Sequence, residues 1–136
     1  MINFFSETSF ELDHKAEIRV RLEFLITNEG FNLGEINFIF CDDEYLLQVN
    51  NKYLKHDYYT DIISFDYSES KMINGDIFIS IDRVLDNSKT FHKSFNNELR
   101  RVMSHGLLHF CGYKDKTDSE KALMRRKEEF YLSFGE

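Results

Sequence analysis

Apolar positions along this chain follow two rhythms. In DHKAEIRVRLEFLITNE, residues 13–29, Ile18, Leu22, Leu25 and Ile26 recur at three- and four-residue steps. That spacing gathers them on one face of a helix, with Asp13 placed as its cap. DDEYLLQVNNKYLK opens on Asp42 and Asp43, which suit the unpaired N–H groups of a first turn, and predicts a helix through about Leu54. Residues 82–93 also read as helical. Ser94 caps a further helix to Phe110 with an apolar stripe at Leu99, Val102, Met103, Gly106, Leu107 and Phe110, and a last helix covers about Ser119 to Leu132. The second rhythm consists of short β-branched and aromatic runs: INFF at 2–5, EINFIFC at 35–41, TDIISFDY at 60–67, and DIFISI after the turn pair Asn74-Gly75. Helices interleaved with four short strands predict an α/β or α+β sandwich around one small sheet.

Composition limits the classes this fold can serve. The 136 residues are 42% hydrophobic and include 14 Phe and 7 Tyr, enough for the core of one domain spanning 1–136. No apolar run approaches the roughly 20 residues of a membrane span, and MINFFSETSFELDHK has no basic segment followed by an apolar one, so no secretion signal is expected. Cys41 and Cys111 form no CxxC pair and are expected as reduced, packed thiols in a cytoplasmic protein.

The formal charge of −7 argues against a nucleic-acid partner until it is divided. Residues 1–70 hold 5 basic and 14 acidic side chains, whereas 71–136 hold 12 basic and 10 acidic. The basic ones gather in HKSFNNELRR and MRRKEEF, a pattern that fits either a local cationic surface or solvated helix faces.

The richest chemistry lies in SHGLLHFCGYKDKTD, residues 104–118. His105 and His109 are four apart and share a helix face, about a quarter-turn from the apolar stripe and so at the border of the core. Gly112 can take the left-handed conformation that ends a helix, bringing Asp115 round to face the two imidazoles. Two neutral nitrogens and a carboxylate, with a fourth position for water, describe an open catalytic zinc site. The spacing HxxxHxxGxxD matches the metzincin pattern with Asp in place of the third His. Zinc peptidases of that pattern use a glutamate directly after the first His as general base. Here Gly106 stands there, so the peptidase reading loses its proton acceptor. Hydrolysis of a phosphodiester remains open, because a metal supplies acidified water and charge neutralisation.

HGLLHFCGYKD resembles the signature HGxLHLxGYDH of the YbeY family of bacterial rRNA maturation factors and metal-dependent endoribonucleases. YLKHDYYTDIISFD at 53–66 is similar to that family's YRxxDxxTDVLSFP, and NGDIFIS at 74–80 to its LGDIxIS strand. The resemblance is specific from about Cys41 to Met124. It implies an α+β fold with a four-stranded mixed sheet, about five helices and a metzincin-like metal helix. It further implies one zinc on His105, His109 and Asp115, and endoribonuclease action on single-stranded RNA in 3′-end maturation of small-subunit rRNA and in ribosome quality control. Asp115 replaces the family's usual third His, which lowers the site charge from +2 to +1 and leaves a donor set that also suits iron. Asp118 is the neighbouring, weaker substitute. Leu54 replaces the family's arginine and cannot grip phosphate; Lys55 and His56 are adjacent. Ser64 and Lys55 are the candidate catalytic side chains, with Thr60 and Asp61 either lining the same cleft or closing a turn. His14, His56 and His92 lack a partner at ligand spacing, and Cys111 lies off the ligand face. Two competing readings are a ribosome assembly factor with a structural metal and a metzincin-type peptidase.

Overall fold

The computed structural model describes residues 1–56 and 59–134; Asp57 and Tyr58 of the second family block lie outside them. In chain order the elements are β1 (Ile2–Ser6), α1 (Lys15–Asn28), β2 (Asn32–Cys41), α2 (Asp43–Leu54), β3 (Ile62–Asp66), β4 (Met72–Ser80), α3 (Ile81–Thr90), α4 (Phe95–Phe110) and α5 (Asp118–Ser133). The strands form one sheet in the order β1-β2-β4-β3. β1 and β4 each run parallel to β2, and β3 runs antiparallel to β4. The expected α+β fold with a four-stranded mixed sheet and five helices is therefore observed.

Alternation along the strands sorts side chains between the two faces of the sheet. Ile36, Phe38 and Phe40 of β2 and Ile73, Ile77 and Ile79 of β4 join Leu25, Ile26, Leu99, Met103 and Leu107 from the helices in the main core. The opposite face carries a smaller cluster of Cys41, Leu46, Val49 and Ile63, with Phe65 and Phe78 packed on it.

Local chemistry explains most helix starts. The Asp42 carboxylate accepts from the Tyr45 N–H and the Ser94 hydroxyl from the Asn97 N–H, as the sequence predicts. The last helix begins slightly earlier than expected, because Thr117 and Glu120 form a reciprocal capping box. Asp13 does not cap α1. The capping position is His14, left-handed at φ 58°, whose carbonyl accepts from the Ile18 N–H, and no side chain caps that end.

The other departure is Asn74-Gly75, which forms no turn and lies inside β4. The reversal falls earlier, where Glu69 and Met72 exchange backbone hydrogen bonds and Ser70 is left-handed at φ 53°. Asn74 instead serves the irregularity between Leu33 and Ile36, its Oδ1 accepting from the Glu35 N–H at 2.8 Å. Gly75 leaves room for a neighbour: a β-carbon there would stand 2.5 Å from the Phe110 ring and 2.6 Å from the Phe65 carbonyl oxygen. The same two residue types serve a turn and a tight strand irregularity, so the local sequence does not separate them.

Candidate metal centre

α4 carries the first two site residues and lies hard against the sheet. A β-carbon on Gly106 would come within 3.0 Å of the terminal methyls of both Ile62 and Ile77. Position 106 therefore faces β3 and β4, and a glutamate there would enter the core instead of reaching the histidines. The peptidase reading loses its base for that geometric reason as well as for composition. His105 and His109 sit a quarter-turn away, half-buried, at the expected border.

The helix ends as the sequence predicts. Gly112 is left-handed at φ 102°, and the N–H groups of Cys111, Gly112 and Tyr113 return to the carbonyls of Leu107, His109 and Leu108. The loop after it is tied down by Glu29 at the end of α1. The Glu29 carboxylate accepts from the Tyr113 hydroxyl at 2.6 Å, from the Tyr131 hydroxyl and from the Lys127 ammonium at 3.4 Å. Burial alone would raise the pKa of Glu29, but these donors prevail and hold it below the ordinary carboxylate range. Asp115 follows Tyr113 by two residues and so inherits a fixed loop.

Asp115 Oδ2 stands 3.2 Å from His105 Nε2 and 3.5 Å from His109 Nε2, and the two Nε2 atoms are 3.0 Å apart. Donors about 2.0–2.1 Å from one tetrahedral ion lie ~3.3 Å from each other, so this triangle has the edge lengths of a single metal's ligand set. Among the described residues, His105, His109 and Asp115 form a cluster that could hold a metal ion. Asp118 is the exposed first residue of α5 and outside the cluster, and His14, His56 and His92 are exposed elsewhere.

Behind His105 lies a group that sequence reasoning missed. Glu128 of α5, 2% exposed, holds its Oε2 at 2.6 Å from His105 Nδ1. Its Oε1 accepts from Arg101 at 3.1 Å, and Arg101 also donates to Glu98 at 2.6 and 2.9 Å. Burial by itself would push the Glu128 pKa up. The hydrogen bond from His105 and the charge of Arg101 outweigh it and hold the carboxyl below its ordinary value. An ionised carboxylate only accepts, so His105 donates to Glu128 through Nδ1–H. A signal was available in the sequence: Met124, Glu128 and Tyr131 form the buried stripe of α5, and a carboxylate in an apolar stripe needs a partner.

The remaining candidates divide. Asp61 is half-buried beside β3; burial raises its pKa, while the charges of Arg101 and His105 oppose the rise, which ties it electrically to the site. Ser64 shares with Ile62 the face of β3 turned to α4. The Thr60 hydroxyl bonds the Ile62 carbonyl at 3.4 Å, closing a turn. Lys55 is the exposed, left-handed residue that ends α2, and Leu54 before it is 42% exposed. Cys111 packs at the edge of the main core with its thiol unoxidised, as does Cys41 in the smaller one. Burial, aided by nearby acids, pushes both thiols up to about 12.

Sheet order and histidine pair together define an α+β domain bearing a His–His–Asp cluster at the edge of its main helix. The chain belongs to the endoribonuclease YbeY family, whose model matches residues 2–135. It is 56% identical over 129 residues to endoribonuclease YbeY of Flavobacterium johnsoniae, covering 95% of this chain and 93% of that one. Against the Cytophaga hutchinsonii protein of the same name the identity is 56% over 134 residues, covering 97% and 94%. The solution structure of TM1509 from Thermotoga maritima shares the fold at a TM-score of 0.69 and 25% identity, over 97% of this chain and 87% of that one. Among the described residues no helix is long and apolar enough to cross a membrane.

Proposed function

We propose that residues 1–136 form a single metal-dependent endoribonuclease domain acting on single-stranded RNA, in 3′-end maturation of small-subunit rRNA and in ribosome quality control. His105, His109 and Asp115 would hold one divalent transition metal, zinc in the first instance. The observation that carries the reading is the three-donor triangle, with edges of 3.0, 3.2 and 3.5 Å, in a member of an endoribonuclease family. A bound zinc would supply a Lewis acid and lower the pKa of a coordinated water.

The chain's own groups then have defined tasks. Glu128 keeps the His105 proton on Nδ1 and fixes the ring; Arg101 keeps Glu128 ionised and is itself shared with buried Glu98. Glu29 fixes the loop that presents Asp115. Asp61 and Ser64 flank α4 and are the polar groups of β3 and its approach that a phosphodiester at the cluster would meet.

The test is metal content and RNA cleavage on the same protein. Protein prepared without chelator is expected to hold about one equivalent of zinc or a similar ion and to cut single-stranded RNA. His105→Ala is expected to lose both while staying folded. Metal-free wild type that is inactive even after zinc is added back refutes the reading. A second reading, an assembly factor with a structural metal, is favoured by Leu54, an exposed apolar side chain where the family has an arginine. It prevails if His109→Ala loses the metal and leaves rRNA processing in cells intact.

A further inference from the structure

Next to the cluster lies a cavity of about 220 Å³ lined by Arg101, His105, Asp115, Lys121, Arg125 and Glu128. A second, of about 290 Å³, is lined by Phe91, Lys93, Asn97, Arg101 and Arg125 among others. Arg101 and Arg125 line both, so the two cavities adjoin and together mark a trough along α4 and α5. It begins at the histidines and ends at the turn before α4. Asn97 and His105 are eight residues apart on α4, about 12 Å at 1.5 Å per residue.

Charge in the trough is sorted by depth. Glu98 and Glu128 are 1% and 2% exposed, and both are committed to Arg101, Glu128 also to His105. The cations Lys93, Lys121 and Arg125 are exposed, the Arg125 side chain at 63% although its Nε lies 3.9 Å from Glu128 Oε1. Lys114 and Lys116, also exposed, flank Asp115 at the cluster end. Glu129 is the exposed acid of the lining. The lining as a whole is formally neutral, its four cations matched by Glu98, Asp115, Glu128 and Glu129, so the positive charge is confined to the exposed rim. At the far end Phe91 is 51% exposed, a ring on which a base can stack.

We infer that this trough carries the backbone of single-stranded RNA from the metal cluster toward Phe91, with Lys121, Arg125 and Lys93 as successive phosphate contacts. The inference rests on the function proposed above. A trough of ~12 Å accommodates about three or four nucleotides at the 3.4 Å per phosphate of a stacked strand. Spaced cations ending at an exposed ring match a polymer with regular charge and a base at each step, and continuity with the cluster puts one phosphodiester at the donor triangle. The assignment also supplies this chain with phosphate contacts that Leu54 cannot make.

The test uses metal-loaded protein and a short, hydrolysis-resistant 2′-O-methyl oligonucleotide, with Kd measured by fluorescence anisotropy across a salt series. Cleavage of ordinary RNA by wild type is established first, so that failure of the proposed function is recognised separately. Each phosphate contact on a single strand contributes about −0.7 to the slope of log K against log salt. The double variant Lys93→Gln/Arg125→Gln is expected to flatten the slope by about 1.4 while retaining its metal and its unfolding midpoint. Phe91→Ala is expected to weaken binding about fivefold or more with the slope unchanged, because base stacking carries no counterion release. Lys71→Gln, whose ammonium lies over the Phe31 ring outside the trough, is expected to leave both quantities alone. An unaltered slope in the double variant overturns the inference even if wild type cuts RNA. Binding of an acidic peptide in place of the oligonucleotide, with the same three cations responsible, overturns it in favour of a protein occupant.

Discussion

On the face of the sheet toward α4, Ile36, Phe38, Ile77 and Ile79 are fully buried and the helix lies within van der Waals reach of the strands. On the other face, Asn3, Asn37 and Asp76 run side by side across β1, β2 and β4, hydrogen bonded in a row at 2.9 and 3.0 Å, and α2 covers the β3–β4 side with a smaller cluster. The first face is dry and specified by shape, and the second is wet and tolerant. The candidate chemistry sits at the rim of the dry face. A ligand held to a hydrogen-bond distance needs a helix that cannot shift, and close packing supplies that. Gly75 and Gly106 are the two positions where the absence of a side chain lets α4 come so near.

Among added atoms, the largest stability effect is therefore expected at Gly75. An added methyl would meet both an aromatic ring and a backbone carbonyl, and the backbone oxygen cannot rotate away. Gly75→Ala is expected to lower stability by about 3 kcal/mol, the upper part of the range for overpacking, read as a lower denaturant midpoint at unchanged slope. Gly106→Ala makes the comparison sharper. Its methyl would meet only side-chain methyls at 3.0 Å, and alanine gains about 1 kcal/mol of helix propensity over glycine. The two terms offset, so a net change within about 1 kcal/mol is expected. Equal losses at both glycines would mean that the isoleucine methyls beneath Gly106 give way no more than the backbone at Gly75 does.

A second effect acts on the metal and not on the fold. Glu128→Gln keeps the size of the side chain and an acceptor for the His105 Nδ1 proton, but removes the charge that pairs with Arg101. Loss of such a partner is expected to weaken metal affinity about 10- to 100-fold, measured by chelator competition, with the metal still bound at saturation. Unchanged affinity would show that Glu128 serves only the packing of α5 on α4.

How much of this was legible in the sequence follows from distance along the chain. HxxxHxxGxxD is local, and one helix with a glycine stop brings its three candidate donors together, so the spacing alone predicts their proximity. The caps at Asp42 and Ser94 are local too. Glu128 is not: it is 23 residues from His105, and only the packing of α5 on α4 brings them together. Asn74-Gly75 shows the reverse difficulty. Its local chemistry is that of a turn, and what overrides it is Phe110 from α4 and the backbone of residue 35 from β2. Asp13 was displaced by a single left-handed residue, His14. Tertiary contacts decided the cases of Glu128 and Asn74-Gly75, whereas the shift at Asp13 is local.

The smallest effect tests the wet face. The Asn37 Oδ1 accepts from Asn3 and its Nδ2 donates to Asp76, and all three side chains are half-buried. Truncation by Asn37→Ala leaves the amide of Asn3 and the carboxylate of Asp76 without this partner, but water can reach both. The expected loss is about 1 kcal/mol, the net value of a hydrogen bond that solvent can replace. Ile77→Ala, on the neighbouring register of the dry face and fully buried, is expected to cost about 2–5 kcal/mol because it leaves a hole that neither water nor the rigid helix can fill. Metal affinity should follow the same division. Asn37→Ala should leave it unchanged, whereas Ile77→Ala should loosen the seat of α4 beneath Gly106 and weaken it. A metal affinity that responded equally to both would show that the polar row also sets the position of the strands on which α4 rests, and the division of labour between the two faces would fail.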